Sequence, residues 1–343
     1  MKIKKTITLL FMFSIFSIIS ACSNSNSDSE QNEEHVIKLA HVTQEDTAYA
    51  EGVEKFAELV EEKTEGEVTV EIFPNGELGS NPELVEQLQH GTIGGMIPSV
   101  AILSAFTDKT LMLDLPYLFE NKEAAEHILD GEIGDEILED VEDDGIIGIG
   151  WFDQGWRNIH TNKKVEKPED MKGLKFRILE TPVHVDFMNA FGASGTNIDF
   201  TELFTALDQG VVDGAEQPYA NILLNGYAEV TPYITETEHI YDALPMIFSE
   251  LVWEELSENQ QEKVLEAADE ASDYERELVT ETDEEIKEDF MEDDDVEVIE
   301  LTEEERDEFS EIVKEELYDK WDSEIGDDLL ERTLEKQEEF LDN

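Results

Sequence analysis

Residues 173–192 read GLKFRILETPVHVDFMNAFG, and this stretch decides the fold class. Its first part alternates apolar and charged side chains, as a β-strand does, in the order Leu174, Lys175, Phe176, Arg177, Ile178. Thr181 and Pro182 then supply an N-cap and a proline at the first helical position, which predicts a helix that ends at Gly192. A strand followed at once by a helix is a unit of an α/β sheet.

The same succession of strands and helices recurs on both sides of this stretch. Further strands are predicted at 36–42, 68–72 and 296–299. Further helices are predicted after Asp46, from an N-cap at Asn81, from an N-cap at Thr201 to Gly210, over 257–291, and from a capping box of Thr302 and Glu305 onward. We therefore predict α/β sheets covered by helices on both faces. The sequence contains no internal repeat and no nucleotide-binding glycine motif.

The chain is strongly acidic. Its 343 residues include 23 Lys and Arg against 87 Asp and Glu, a net charge of −64, which would repel the phosphates of a nucleic acid and excludes that partner. The hydrophobic content of 40% and the 17 phenylalanines contradict global disorder. The acids lie between the apolar positions of the predicted helices, which is typical of a solvated face. This acidity suggests a salt-loving organism, because dissolved ions screen the self-repulsion.

The N-terminal residues resemble a bacterial lipoprotein signal. Three lysines precede an apolar run at 7–19, which is too short for a spanning helix of about 20 residues. The run ends in Ile-Ser-Ala-Cys, similar to the lipobox in which the cysteine receives a diacylglyceryl group. We expect 1–21 to be a lipoprotein signal peptide, Cys22 to be lipidated and 22–35 to be a flexible tether. The alternative is an ordinary signal peptide in which Cys22 is incidental.

This interpretation places the protein outside the cytoplasm. We expect it to be lipid-anchored to the cell membrane, in the periplasm or on the outer face of the cytoplasmic membrane. Removal of 1–21 deletes three lysines and no acid, so the net charge falls from −64 to −67. A single cysteine excludes an internal disulfide and any zinc site built from several cysteines.

Arginine is the scarcest charged residue in the chain. There are five in total, and between Cys22 and Ser257 only Arg157 and Arg177 occur. The planar fork of arginine holds a carboxylate through two parallel hydrogen bonds, which lysine cannot copy. In its predicted strand Arg177 points away from the apolar side chains, toward the other face or the end of the sheet, where α/β proteins bind ligands. Alternatively, both arginines pair with the abundant local acids, and their spacing does not decide between these interpretations.

Several motifs in consistent order resemble the TRAP-transporter solute-binding proteins of the DctP type. The resemblance extends over about residues 36–340. The motifs are FPNGELG at 73–79, LPYLF at 115–119, GWR at 155–157, PEDMKGLKFR at 168–177, FTELFTAL at 200–207 and GVVDGAEQP at 210–218.

The resemblance implies a two-lobe, periplasmic-binding-protein-like α/β fold that closes on a solute like a flytrap. A long inter-lobe helix and a cleft between the lobes belong to this expectation. Lobe I would comprise 36–154 plus about 243–283, and lobe II would comprise 155–242 plus about 284–343. The crossing segments would lie near Gln154 and Asp242.

The resemblance also implies roles for individual residues. Arg177 would clamp the ligand carboxylate, Arg157 would help to hold it, and Phe200 would pack on the ligand. Gln217 stands where the family has asparagine, which lengthens that amide by one methylene. Ser99, together with Ile97, stands where the amino-sugar-acid-binding members carry an acid and an aromatic residue, so sialic-acid specificity is not expected.

Expected places follow for three further residues. Trp156 belongs either to the pocket or to the packing around it, and His41, at the end of the first strand, is expected to face the cleft. His184, on a helix, is expected at the surface. No metal site is expected, because the histidines show no ligand spacing.

The predicted function is that of the extracytoplasmic solute-binding subunit of a TRAP transporter. It would capture a C4-dicarboxylate and deliver it to the membrane permease, as a monomer, without a cofactor. A sugar acid or another carboxylate is the alternative ligand, and sensing for a membrane receptor kinase is the alternative role. An exported enzyme has no support, since no serine-hydrolase elbow occurs.

Overall fold

The computed structural model describes residues 34–342. The predicted signal peptide, the lipidation site Cys22 and the tether as far as residue 33 lie outside the described residues. The first strand begins at His35, so the predicted tether extended too far at its C-terminal end.

Strands and helices alternate along the described chain. The strands are β1 (His35–Ala40), β2 (Val68–Phe73), β3 (Gly95–Met96), β4 (Ile146–Thr161), β5 (Lys175–Ile178), β6 (Ser194–Asn197), β7 (Gly214–Gln217), β8 (Tyr233–Ser249) and β9 (Glu297–Ile299). The α-helices are α1 (Ala48–Lys63), α2 (Asn81–Gln89), α3 (Lys122–Leu129), α4 (Glu132–Glu139), α5 (Pro182–Ala190), α6 (Leu203–Asp208), α7 (Tyr219–Leu224), α8 (Glu250–Trp253), α9 (Glu258–Glu292), α10 (Glu303–Val313), α11 (Asp319–Ile325) and α12 (Leu329–Leu341).

The strands form one sheet in the order β2-β1-β3-β8-β4-β7-β5-β6, with β9 added beside β8. On one side β1 runs parallel to β2 and β3, and on the other side β5 runs parallel to β6 and β7. The long strands β4 and β8 pair antiparallel and connect the two parallel groups. The α/β class is therefore confirmed, and the carboxyl ends of the parallel strands carry the loops where ligands bind in such sheets.

The first residue of a helix was harder to predict than the presence of the helix. The long helix predicted over 257–291 is α9, which starts with a capping box of Ser257 and Gln260. The N-cap of α2 is Ser80 and not Asn81. Thr201 caps nothing, because it lies inside a short 3-10 helix, Phe200–Glu202, that precedes α6.

Within 34–342 no helix combines the length and the apolar character needed to cross a membrane.

The largest hydrophobic core does not follow the predicted lobe boundary at residue 154. It joins apolar residues of 100–138 to those of 159–193 and 301–330. A second core packs α1 and α9 against β1 and the start of β4. The assignment of 100–138 wholly to lobe I therefore does not match the packing of this segment.

Candidate functional site

A cleft opens where the carboxyl ends of the parallel strands meet the crossing strands. Thr43 follows β1, Ser99 follows β3, Leu179 follows β5, Asn197 ends β6 and Gln217 ends β7, and all five line it. The cavity volume is about 80 Å³, which admits a small solute and not a macromolecule.

Arg177 lies in this cleft with a guanidinium that pairs with no carboxylate of the described residues. Its Nε donates a hydrogen bond to the backbone oxygen of Ile198 at 2.8 Å, and its buried Nη1 has no partner among the described residues. No carboxylate of 34–342 lies within 4.0 Å of it, although only 3% of the residue is exposed. Burial lowers the pKa of Arg177 to about 10, with Arg157 acting in the same direction against Glu216. Arg177 is therefore still charged at neutral pH and available to an anion.

Arg157 lies in the same cleft, but each of its three guanidinium nitrogens already contacts the protein. Its Nε contacts the carboxylate of Glu216, its Nη1 donates to Asp242 Oδ2 at 2.7 Å, and its Nη2 donates to the backbone oxygen of Glu216 at 2.7 Å. Although burial opposes the charge, Asp242 and Glu216 raise the pKa of Arg157 above its usual value. Pairing with local acids, the alternative left open by the sequence, thus describes Arg157 and not Arg177.

Behind Arg157 a second set of buried charges surrounds Glu216. His184 Nδ1 lies 3.5 Å from Glu216 Oε1, and its Nε2 lies 3.5 Å from Asp114 Oδ1. Burial acts to lower the pKa of His184, but Asp114 and Glu216 outweigh it and raise this pKa to about 9. The expectation that His184 lies at the surface was wrong, because the helix carrying it packs this face into the charged core.

The remaining predicted site residues divide into two groups. Phe200, Gln217 and Ser99 line the cleft beside Arg177, and the buried hydroxyl of Ser99 has no partner within the described chain. Gln217 Oε1 accepts a hydrogen bond from Asn221 Nδ2 at 3.2 Å, so the longer amide is held by its neighbour.

Trp156 and His41 do not line this cleft. Trp156 packs edge-on against Tyr241, with ring centroids 5.4 Å apart, beside a separate surface hollow. His41 is buried with its ring edge-on to Tyr49, and burial lowers the pKa of His41 to about 4. Trp156 lies away from the cleft because it is adjacent to Arg157 on β4, and successive side chains of a strand face opposite sides.

Sequence reasoning missed the amides that connect the two sides of the cleft. Asn221 Nδ2 donates to Gln154 Oε1 at 2.9 Å, and Gln154 Nε2 reaches Thr43 Oγ1 at 3.4 Å. Nearby, Gln44 Nε2 donates to Asn225 Oδ1 at 3.0 Å. Gln154 lies on β4, Asn221 lies on α7, and the other three residues lie in loops or turns, so no local pattern could have grouped them.

The cleft has the features of a binding site and not of a metal centre. Across the part of the chain that the structure describes, no group of three or more His, Cys, Asp and Glu side chains could hold a metal ion. The free guanidinium and the surrounding amides and hydroxyls are suited to an organic anion.

Comparison with known proteins gives one consistent family. The model of bacterial extracellular solute-binding protein family 7, DctP, matches residues 39–324. The C4-dicarboxylate-binding periplasmic protein DctP of Rhodobacter capsulatus is 34% identical over 279 residues, which cover 81% of this chain and 84% of that protein.

Solved structures of similar proteins agree in fold. A TRAP periplasmic solute-binding protein of Sulfurospirillum deleyianum with bound succinate is 30% identical, with a TM-score of 0.83 over 88% of this chain and 98% of that one. A TRAP periplasmic solute-binding protein of a Polaromonas species bound to D-erythronate gives the same identity, TM-score and coverage.

Proposed function

The chain belongs to bacterial extracellular solute-binding protein family 7, and we propose that it is the solute-binding subunit of a TRAP transporter that captures a small organic acid. Members of this family bind solutes outside the cytoplasm as part of a transport system, and the protein is therefore not an enzyme. In this role it would hand its solute to the membrane permease.

The observation that carries the proposal is the unpaired guanidinium of Arg177. A buried charge without a partner is costly, and a bound carboxylate would supply both the countercharge and the missing acceptor for Nη1. Arg157, each of whose three guanidinium nitrogens already donates to the protein, would act as a positioning residue that holds the floor of the cleft. Phe200 offers an aromatic face beside the same space.

The solute expected from the sequence is a C4-dicarboxylate, with a sugar acid as the alternative. The Rhodobacter relative is named for C4-dicarboxylates, and the two solved neighbours hold succinate and D-erythronate. Each of these ligands contains the carboxylate that Arg177 would bind. We further propose attachment to the membrane through a lipid on Cys22, on the strength of the lipobox-like Ile-Ser-Ala-Cys, and a monomeric state.

Replacement of Arg177 by lysine tests the clamp. Lysine keeps the charge but loses the two parallel hydrogen bonds, so affinity should fall by about 1.5–3 kcal/mol. Titration calorimetry with succinate and with D-erythronate would measure this loss. The matched control is Arg332→Lys, the same change at a surface arginine on α12 that pairs with Glu136.

Arg332→Lys should leave binding unchanged. Equal affinity of the Arg177→Lys variant and the unsubstituted protein for whichever acid binds would contradict the clamp. Failure of the unsubstituted protein to bind any small carboxylate would contradict the proposed function itself.

A further inference from the structure

We infer that the preferred ligand carries one carboxylate and a neutral, hydroxyl-bearing remainder, so that a dicarboxylate is not the best solute. The inference rests on the proposed function and names the ligand class for the same cleft. It follows from the charges and the free polar groups that line the cavity.

The cleft offers a single free positive charge. Arg157 and Arg177 are the cationic side chains among the described residues that line it, and no lysine or histidine joins them. Arg157 is neutralised by the carboxylates of Glu216 and Asp242. One ligand carboxylate therefore satisfies Arg177, and a second would find no cation.

The lining also contains carboxylates that would repel a second negative charge. Glu180 follows β5 and Asp199 follows β6, and both are exposed at the rim on the same side as Arg177. Neither forms an ion pair with a described residue. Both charges repel any anion that enters the cleft, and they repel a dianion about twice as strongly as a monoanion.

The opposite side of the crossing strands presents neutral polar groups. Thr43, Asn81 and Ser99 come from the loops after β1, before α2 and after β3. The Ser99 hydroxyl has no partner, and no described residue hydrogen-bonds to the Asn81 side chain. Each of these groups can both donate and accept hydrogen bonds.

Ligand hydroxyl groups match these neutral polar side chains better than a carboxylate does. A hydroxyl donates and accepts, so it can pair with the amide oxygen of Asn81 as well as with its N–H, while an ionised carboxylate only accepts. A carboxylate that leaves water for a site without a cation loses hydration that neutral donors only partly replace. These neutral polar side chains therefore favour a short hydroxy acid over an acid that is charged at both ends.

The sharpest test compares succinate with succinamate, because the two differ only in the replacement of one carboxylate by an amide. Calorimetry with the purified protein at pH 7.5 should show that succinamate binds at least as tightly as succinate. D-erythronate, with four carbons, one carboxylate and three hydroxyls, should bind at least tenfold more tightly than succinate. Succinate binding more tightly than both monoanions would overturn the inference.

Variants of the lining give a second, independent measurement. Ser99→Lys would supply the missing cation and should raise the affinity for succinate at least tenfold relative to the affinity for succinamate. Circular dichroism would check that the variant folds. Glu180→Gln combined with Asp199→Asn alters only exposed rim residues. At low salt it should raise the affinity for succinate about twofold more than the affinity for succinamate, because the dianion carries twice the charge.

The outcomes separate this inference from the proposed function. If Arg177→Lys weakens all three acids but succinate is the tightest ligand, the clamp stands and the inference is wrong. If none of the acids binds, the proposed function fails and the inference fails with it. If both monoanions bind and the rim variant discriminates as expected, both are supported.

Discussion

His184 is a buried cation whose charge depends on two carboxylates. Its ring lies between Asp114 and Glu216, and its pKa is raised from 6.5 to about 9. A raised histidine pKa means that the folded protein holds a proton that the unfolded chain releases. The stabilisation is complete below pH 6.5 and is lost as the pH rises through 9.

We therefore expect the free energy of unfolding to fall between pH 6.5 and pH 9, by up to about 3 kcal/mol from this residue. Urea unfolding at a series of pH values would measure it. Asp283, whose pKa burial raises to about 8, acts in the same direction, so the His184→Gln variant is the necessary control. A variant with the same pH slope as the parent would show that His184 does not carry this effect.

At the residue scale the sequence singled out two arginines that line the cleft, but it did not predict their different states. Their scarcity predicted that Arg157 and Arg177 matter, and both line the cleft. Which of them is free depends on Glu216 and Asp242, which are 59 and 85 positions from Arg157 in the sequence. Such distant pairings leave no local pattern, and the surface position predicted for His184 was wrong for the same reason.

At the scale of elements, β4 and β8 are the connection between the two sides of the cleft. Their pairing shifts register between Asp153 and Trp156, and Gly155 at this point has a φ of +72°, which favours glycine. Such irregularities allow a local change of backbone direction without breaking the strands.

We expect ligand binding to close the cleft by a hinge motion at this point. Small-angle X-ray scattering should give a smaller radius of gyration with saturating ligand than without it. The Arg177→Lys variant at the same ligand concentration should stay less compact, because it binds more weakly. Superimposable curves for the free and the saturated protein would contradict closure.

The two crossing strands also mark the limit of prediction for elements. Helices with one apolar face, such as α1 and α9, and alternating strands, such as β2 and β5, were predicted. β4 and β8 were anticipated only as crossing segments near Gln154 and Asp242. β8 is buried on both faces along nearly all of its 17 residues, so it lacks the alternation that reveals a strand.

At the scale of the whole molecule, the charge of −64 opposes the capture of an anion. Distant carboxylates repel the solute, whereas Arg177 attracts it locally. At about 4 Å and an effective dielectric of 20, a charge pair gains about 4 kcal/mol, and charges beyond about 10 Å are screened at 0.1 M salt.

Raising the salt concentration should therefore accelerate association, because it weakens the repulsive field of the surface. Dissociation should change less, since the closed cleft excludes ions. Stopped-flow measurements with D-erythronate from low to molar NaCl would determine both rates. An association rate that falls steadily with salt would point to a positively charged entrance and contradict this account.

The proposed lipid anchor is tested on the intact cell. If Cys22 carries a diacylglyceryl group, its two acyl chains suffice for stable attachment, and the protein should sediment with membranes. Cys22→Ser should release the protein or leave it unprocessed, as fractionation and mass spectrometry would show. Recovery of the unsubstituted protein wholly in the soluble fraction would contradict the anchor.

The place of β8 in the sheet sets the time at which the protein can fold. β3 pairs with β8 through Gly95 and Phe248. β8 is therefore synthesised long after β3, the strand with which it pairs. At about 5–20 residues per second, ribosomal synthesis of the intervening chain takes roughly 8–30 s. Until β8 is available, β3 has an unpaired edge and the core that β8 completes is missing, so the N-terminal strands cannot reach their final arrangement.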